Sequence, residues 1–148
     1  RVNRGHTFEC SQRAFAMTHE RGIRTGGHII IGLPGEDEAE TLRQAPLISA
    51  LDIDLLKIHQ MQIIRGTRLA AEYTHTPFKL YTPDEYIRLA TAYVERLRKD
   101  IVIERFVSQS PADLLLAPKW HLKNHEFTDR LNNYMKATGA YQGRFYNQ

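Results

Sequence analysis

Cysteine is almost absent from this chain: Cys10 is the only one among 148 residues. A single cysteine excludes an internal disulfide and a cysteine-rich metal site. No local signature marks it as a nucleophile, so we expect a buried or half-buried helical thiol. The scarcity of cysteine also agrees with a reducing compartment, and we expect the protein to be cytoplasmic.

Long apolar runs are missing as well, and stretches such as 28–31 are among the longest. A transmembrane helix needs about 20 consecutive apolar residues, so we predict none. Hydrophobic residues make up 42% of the chain and charged residues 25%, which is typical of a globular domain. No signal peptide opens the chain, and because it begins with Arg1 we expect it to be part of a longer protein.

Strong charge and familiar catalytic motifs are also lacking. The formal net charge is only +3, and the densest basic cluster, 96–99, is expected to be a solvated helix end. There is no phosphate-binding Walker loop and no Ser-His-Asp elbow. His121 and His125 are four residues apart but lack the glutamate of a zinc-binding HExxH motif, so we interpret them as surface residues and predict no metal site.

What the sequence does contain is an alternation of helical and strand patterns. Apolar residues spaced as on one helix face, together with capping residues, mark the helices, and Ile-rich runs mark the strands. A strand, a crossover helix and a second strand predict a parallel βαβ unit. The pattern predicts helices over 9–21, 37–51 (with Pro46 kinking or shortening it), 69–73, 82–99 and 126–138, and strands over 24–32, 55–64 and 101–107.

Three strands are too few for a closed barrel, and the first would present an unpaired edge. This indicates a missing N-terminal half. We expect the chain on its own to cover the open edge by forming a homodimer.

Three places could hold a ligand, because ligands collect at the carboxyl ends of parallel strands. Gly32-Leu33-Pro34-Gly35-Glu36 follows a strand, and its glycines permit close approach of a ligand; the alternative is an ordinary βα turn. Lys57 and His59 share one strand face, either facing a cavity or with Lys57 extending from an edge. Arg4, in Asn3-Arg4-Gly5-His6, either binds an anion or lies in a solvated loop.

These segments occur in an order that resembles radical S-adenosylmethionine (SAM) enzymes. Residues 2–6 resemble the segment after the fourth barrel strand of those enzymes. Gly27-His28-Ile29-Ile30-Ile31-Gly32-Leu33-Pro34-Gly35-Glu36 resembles the fifth strand and its Gly-Leu-Pro-Gly-Glu turn. Lys57-Ile58-His59 through Arg65-Gly66-Thr67-Arg68-Leu69 resembles the sixth strand and the Gly-Thr-x-Leu segment behind it.

The relatives are oxygen-independent coproporphyrinogen oxidases, the elongator catalytic subunit and, above all, YhcC-type proteins. The likeness to the last group continues through Ile103-Glu104-Arg105 and through residues 115–120. It implies an α/β fold: the C-terminal half of a partial (β/α)6 TIM-like barrel with a C-terminal α extension. Residues 1–110 would form the second half of the barrel, and residues 111–148 the extension packed on it.

The resemblance also implies a reaction. In the family, a [4Fe–4S] cluster on a Cys-x3-Cys-x2-Cys loop reduces SAM, and the 5′-deoxyadenosyl radical takes a hydrogen atom from a substrate. We expect that loop upstream of Arg1, so the chain alone would be inactive. The enzyme would be an Fe–S oxidoreductase whose substrate is a small metabolite, a modified nucleoside or a protein side chain.

Site residues carry over from the family position by position. Arg4 matches an arginine that contacts SAM, and His28 stands where the coproporphyrinogen oxidases place an aspartate on the ribose. Ile30, Gly32, Pro34 and Glu36 match the fifth-strand motif that shapes the adenine pocket. Gln60 and Met61 lie near the end of the sixth strand, which flanks the adenine. Lys57, His59 and Arg105 are the candidates for the substrate side, on inward-facing geometry.

Two non-enzymatic alternatives fit the same residues. One is a nucleotide-binding or regulatory α/β module that uses the turn from Gly32 to Glu36. The other is an RNA-binding module, prompted by the positive charge and the seven tyrosines. Tyr86 and Tyr93 fall on a helical stripe, however, which favours core packing over base stacking.

Overall fold

Helices and strands alternate over the first 60 residues, as the sequence pattern indicates. The structure is a computed structural model that describes residues 4–146. Val2 and Asn3 of the N-terminal motif therefore lie outside the described residues. The helices are α1 (Phe8–His19), α2 (Glu38–Ser49), α3 (Arg68–His75), α4 (Pro83–Val94) and α5 (Asn124–Thr138), and the strands are β1 (Gly26–Ile31), β2 (Leu55–Gln60), β3 (Ile63–Ile64), β4 (Val102–Arg105) and β5 (Leu115–Ala117).

Side-chain caps fix where most helices begin. A threonine or aspartate side chain accepts a backbone N–H from the first turn of each helix from α1 to α4. The predicted capping box of α4 is present: the amide of Glu85 donates to Thr82 Oγ1 at 3.3 Å, and the amide of Thr82 donates to Glu85 Oε2 at 2.9 Å. These bonds satisfy N–H groups that a helix start leaves without a partner.

The central sheet has three parallel strands in the order β1-β2-β4. The predicted parallel βαβ unit is thus confirmed: β1, α2 and β2 follow one another, and His28 pairs with Lys57 in the register. Helices α2 and α4 cover one face of this sheet. Leu56 and Ile58 of β2 are fully buried beneath them.

The prediction of one strand over 55–64 is wrong. Strand β2 ends at Gln60, and Ile63 and Ile64 form β3, which pairs antiparallel with β5 in a second sheet. The chain leaves the first sheet because the side chain of Gln60 binds the backbone of Ser108, while Ile63 is fully buried. Burial of an isoleucine stabilises the altered course by about 2 kcal/mol.

The core lies between the sheet and its helices and extends to the end of the chain. Tyr86 and Tyr93 of α4 are fully buried, which confirms their predicted packing role. Helix α5 packs on α4 and adds Phe127 and Leu131 to the same core. The segment after residue 110 therefore shares a hydrophobic core with the sheet.

The helix predicted over 82–99 ends at Val94, and the basic cluster after it is not a solvated helix end. The guanidinium of Arg98 donates to the carbonyl oxygens of Ser49 and Leu51 at 3.3 and 3.2 Å, and also to that of Ile53. These carbonyls end α2 and lead into β2, where no helical N–H reaches them. That of Leu51 also accepts the Ile53 N–H at 2.9 Å, so the guanidinium adds donors to a junction that is short of them. Arg98 is thus a C-terminal cap supplied by a distant segment.

The expected burial of Cys10 is wrong as well. Its helix, α1, has no buried residue, and Cys10 itself is exposed. Phe8 and Phe15 are the side chains of α1 that pack against the core, which leaves Cys10 facing away from it. Within residues 4–146, no helix is both long and apolar enough to cross a bilayer, and no group of three metal-binding side chains comes together.

Candidate functional site: the open face of the sheet

The face of the central sheet opposite α2 and α4 is only partly covered. We call it the open face, and define it by His28 and Ile30 of β1, Lys57 and His59 of β2, and Val102, Glu104 and Arg105 of β4. Ile30 is 44% exposed and Val102 is 51% exposed, although both lie within strands. Alternation along the strands puts the buried residues on one side and these residues on the other.

A bulge places two consecutive residues of β4 on the open face. Leu56 pairs with Ile103, but Lys57 pairs with Arg105, so Glu104 is the extra residue. The Lys57 ammonium lies 3.1 Å from the Glu104 carboxylate. A bulge bends the strand and redirects side chains, and bulges are frequent beside active sites. The open face therefore carries Lys57, Glu104 and Arg105 together.

Two histidines lie next to this charged group. The rings of His28 and His59 have centroids 5.5 Å apart. Burial lowers the pKa of His59, and the nearby positive charge of Arg105, then His28 and Lys57, lowers it further. Its Nε2 atom is buried without a hydrogen-bond partner in the described structure. His59 is thus held as a neutral imidazole with one ring nitrogen free for a ligand.

Arg105 is in a similar position. Its Nε atom is buried and has no acceptor among the described residues. A guanidinium can donate five hydrogen bonds, and a buried donor without an acceptor is costly. The two free buried nitrogens of His59 and Arg105 mark the open face as a surface that needs a further polar partner.

The turn after β1 borders a separate cavity of about 280 Å³. Gly32 has a φ of +92°, which favours glycine, and a Cβ atom there would come within 3.1 Å of the Tyr81 ring. Gly32, Leu33, Pro34, Gly35, Glu36, Asp37, Glu38, Phe78, Lys79 and Tyr81 line the cavity. The glycine at position 32 is therefore needed to seat Tyr81.

Glu36 is the half-buried carboxylate of this cavity. Burial raises its pKa, although a hydrogen bond from Gln44 acts in the opposite direction. The Gln44 amide lies 3.2 Å from Glu36 Oε1, and Oε2 is buried without a partner within the described chain. A donor from a ligand at the turn would satisfy that oxygen.

Gln60 and Met61 hold the ends of the strands together. The amide of Gln60 donates to the Ser108 carbonyl at 2.8 Å and accepts from the Ser108 N–H at 2.9 Å. The N–H of Met61 donates to the carbonyl of Ile31 at 3.0 Å. Gln60 is buried on the helix side, so its structural task is to join the ends of β2 and β4.

Arg4 lies at the exposed start of α1. Its guanidinium is 2.9 Å from His6 Nε2 and donates to Ser11 Oγ at 3.2 Å. The structure thus brings together His28, Ile30, Lys57, His59 and Arg105 on the open face. The members of the Gly32–Glu36 turn form the neighbouring cavity, whereas Arg4 is tied to its own segment.

Sequence reasoning missed several residues of these sites, among them one on the open face and three beside the turn. Glu104 could not be predicted together with Arg105, because strict alternation puts neighbouring residues on opposite faces of a strand. Only the bulge brings both side chains to the open face. Phe78, Lys79 and Tyr81 come from the segment between α3 and α4, whose position depends on tertiary packing. A salt bridge of 3.0 Å from Lys79 to Glu85 helps to hold that segment at the start of α4.

A parallel sheet with helices on one face and unpartnered polar atoms on the other defines an α/β protein. Residues 53–137 match the family described as the Radical_SAM C-terminal domain. The match covers more than half of the chain, so the chain belongs to this radical SAM family. The predicted family membership and the α/β fold are both confirmed.

Individual proteins show the same kinship. YtqA of Bacillus subtilis is 28% identical over 145 residues, which is 98% of this chain and 45% of YtqA. YhcC of Escherichia coli is 27% identical over 140 residues, which is 95% of this chain and 45% of YhcC. The predicted relation to YhcC-type proteins is therefore confirmed, and the chain spans somewhat less than half the length of these relatives.

The fold is shared with a solved structure. Elp3 of Methanocaldococcus infernus, with an N-terminal deletion, superposes with a TM-score of 0.80 at 21% identity, over 95% of this chain and 33% of that one. At this identity the likeness shows the fold. Family membership implies SAM and a [4Fe–4S] cluster in the full-length protein, whereas residues 4–146 contain no metal-binding cluster.

Proposed function

We propose that this chain is the SAM-binding side of a radical SAM Fe–S oxidoreductase. The observation that carries the proposal is the open face, where exposed Ile30 of the edge strand β1 pairs with His59, and where His28 and Arg105 lie on the same side. Membership of the radical SAM family and the adjoining Gly32–Glu36 turn support it. The substrate would bind on the side of Lys57, His59 and Arg105.

The residues present fit the chemistry of SAM. Ile30 offers an exposed apolar side chain against which adenine can pack, and His28 offers a ring nitrogen for a ribose hydroxyl. The unpartnered Glu36 Oε2 can accept a hydrogen bond from an amino group. The glycines of the turn allow a ligand to approach the backbone closely.

Bound SAM and a reduced [4Fe–4S] cluster would supply the cleavage that yields 5′-deoxyadenosine and removes a hydrogen atom from substrate. The residues of this chain orient the participants. Arg105 supplies positive charge on the substrate side, and Lys57 is held by Glu104 at 3.1 Å. Neutral His59 can accept or donate a hydrogen bond at Nε2. It can therefore hold the substrate in one tautomer, or transfer a proton to or from it.

We further propose that the preceding half of the same polypeptide covers the open face. Two partly exposed apolar side chains, Ile30 and Val102, alternate there with polar groups that lack partners. In the isolated chain the same face would be covered by a second copy. We expect the isolated chain to sediment as a dimer, and the full-length protein not to form this dimer contact. If the isolated chain sediments as a compact monomer at high concentration, the dimer is contradicted.

The decisive experiment uses the full-length protein, reconstituted anaerobically with iron and sulfide, reduced and supplied with SAM. We expect 5′-deoxyadenosine to form. A protein that holds no cluster and leaves SAM intact, yet binds nucleotide, would show that the fold serves as a non-catalytic binding module. RNA binding that is strongly weakened by salt, without SAM cleavage, would instead favour the RNA-binding alternative.

A variant pair links that reaction to the open face. Ile30→Asp places a charge where adenine is proposed to pack, and we expect 5′-deoxyadenosine formation to fall at least about tenfold. Ile23→Asp is the matched control, because Ile23 is 55% exposed and lies outside the strands. Equal activity of the two variants would exclude Ile30 from the SAM site, even if the full-length protein cleaves SAM.

A further inference from the structure

A second cavity, of about 410 Å³, lies at the carboxyl ends of β2 and β4. Strand β5 and the start of α5 close its sides. Gln60 and Phe127, which belong to the buried helix side of the molecule, line it, so it is distinct from the open face. Ligands of parallel α/β folds collect at such strand ends. We call it the Trp120 cavity.

Side-chain amides form one wall of the Trp120 cavity. The amides of Gln60 and Gln62 donate to the Ser108 carbonyl at 2.8 and 3.1 Å, and the amide of Gln109 donates to the Leu122 carbonyl at 3.3 Å. Each amide has two N–H donors, so each keeps one for a further acceptor. The hydroxyl of Ser110 donates to Gln62 Oε1 at 2.8 Å and holds that side chain in place. The wall is therefore a fixed row of donors.

An aromatic pair supplies an apolar part of the lining. Trp120 stacks on Phe127 with ring centroids 5.6 Å apart and an angle of 12° between the rings. The indole N–H donates to the Tyr81 carbonyl at 3.0 Å, which fixes the ring. Val107, Leu115, Pro118 and Leu122 extend this apolar surface.

The rim of the cavity is positively charged. Lys119 and Lys123 are both exposed, line the cavity, and form no salt bridge among residues 4–146. His121 lies between them in sequence and also lines the cavity. No carboxylate is among the described lining residues. Glu126, in the first turn of α5, accepts the backbone N–H of Lys123 at 2.7 Å, and its charge attracts that of Lys123. An anion at this rim thus meets two lysines that form no direct ion pair within the described residues.

We propose that the Trp120 cavity binds one nucleotide. Its amides suit the edge of a nucleobase, because each can donate an N–H to a ring nitrogen or a carbonyl oxygen of the base. The apolar part of the lining suits the flat face of the base, and the two lysines suit its phosphate. A volume of about 410 Å³ lies toward the lower end of the range for ligand pockets and fits one nucleotide, not two.

The nucleotide is either free or one unit of an RNA strand, since both present the same base and phosphate. The cavity has an open rim, which is compatible with both sources. Its occupation needs neither the iron–sulfur cluster nor SAM, so it can be tested independently of the proposed radical reaction.

The test is equilibrium binding to the full-length protein, measured by titration calorimetry without cluster or SAM. The probes are the four 5′-nucleoside monophosphates, the corresponding nucleosides, inorganic phosphate and a ten-nucleotide single-stranded RNA. We expect at least one monophosphate to bind at least tenfold more tightly than its nucleoside and than phosphate. Tighter binding of RNA than of any monophosphate identifies a strand as the source, and the reverse identifies a free nucleotide.

Two variants assign that binding to the cavity. The double substitution Lys119→Gln/Lys123→Gln should weaken monophosphate binding at least tenfold but leave nucleoside binding within about threefold, with Lys136→Gln in the last turn of α5 as its control. Gln109→Glu, which replaces a donor with a carboxylate, should weaken binding similarly, with exposed Gln12→Glu of α1 as its control.

The proposal is overturned if none of the monophosphates and RNA binds in the millimolar range, if phosphate binds as tightly as every monophosphate, or if both cavity variants bind like their controls. Loss of SAM cleavage in the full-length protein, with nucleotide binding intact, would overturn the proposed radical reaction alone. The two proposals therefore fail separately.

Discussion

The imidazole rings of His28 and His59 lie 5.5 Å apart on adjacent strands. The pairing of β1 with β2 fixes this distance, because Ile30 pairs with His59 and His28 with Lys57. Two imidazoles, an arginine and a lysine on one face raise the local positive potential. Burial and, after it, this positive charge lower the pKa of His59, so its ring resists protonation.

Stability should depend on pH through His59. Its folded-state pKa is below the ordinary value of 6.5, so the unfolded chain binds the proton more readily. The free energy of unfolding should therefore fall as the pH drops below about 6.5, until the folded-state pKa is passed. His59→Gln should flatten this dependence, as seen in urea denaturation of the full-length protein between pH 5 and 8. The exposed His19→Gln is the control, and an unchanged slope in His59→Gln contradicts the assignment.

The two buried tyrosines of α4 should respond in opposite ways to loss of their hydroxyls. Tyr86 donates to the Phe106 carbonyl at 2.8 Å, whereas the Tyr93 hydroxyl is buried without a partner in the described structure. Tyr86→Phe should lower the free energy of unfolding by about 1–2 kcal/mol, and Tyr93→Phe should leave it unchanged or raise it. Urea denaturation measures both. Equal losses would mean that the Tyr93 hydroxyl has a partner.

Arg98 should be needed for the junction between α2 and β2. Arg98→Met keeps much of the apolar stem but removes the donors to the carbonyls of Ser49, Leu51 and Ile53. We expect a loss of about 2–3 kcal/mol in the free energy of unfolding, since hydrogen bonds from charged groups exceed neutral ones. Arg88→Met, at an exposed position of α4, should cost less than about 0.5 kcal/mol. A small loss in Arg98→Met would show that other groups serve these carbonyls.

Gly32 should tolerate alanine less well than Gly66 does. Both have positive φ, +92° and +77°, so backbone strain is common to the two substitutions. A Cβ at Gly32 would also lie 3.1 Å from the Tyr81 ring, while nothing is within 4 Å at Gly66. We expect Gly32→Ala to cost at least about 1 kcal/mol more than Gly66→Ala in thermal or urea unfolding. Equal costs would show that Tyr81 moves aside freely.

Local signals in the sequence predict the features that depend on near neighbours. The capping box of Thr82 and Glu85 spans three residues, and the Ile-rich run of β1 is continuous, so both were predictable. The shared face of Lys57 and His59 follows from the strand period alone. Their roles toward SAM or substrate remain predictions.

Contacts between distant segments determine the features that the sequence did not predict. Gln60 ends β2 through Ser108, 48 residues away, and Arg98 caps a helix that lies 49 residues earlier. No window of sequence contains both partners of such a contact. The Trp120 cavity arises in the same way, from residues between Gln60 and Phe127 that only the folded chain brings together.

The bulge in β4 gives the open face an evolutionary degree of freedom. Because Glu104 is an extra residue between two registers, deletion of this one position would restore regular pairing while keeping Arg105 opposite Lys57. Lys57 would then lose its counter-ion and the face would become one charge more positive. Lineages could therefore retune the charge presented to a substrate by gaining or losing a single codon, without altering any of the other residues of the face.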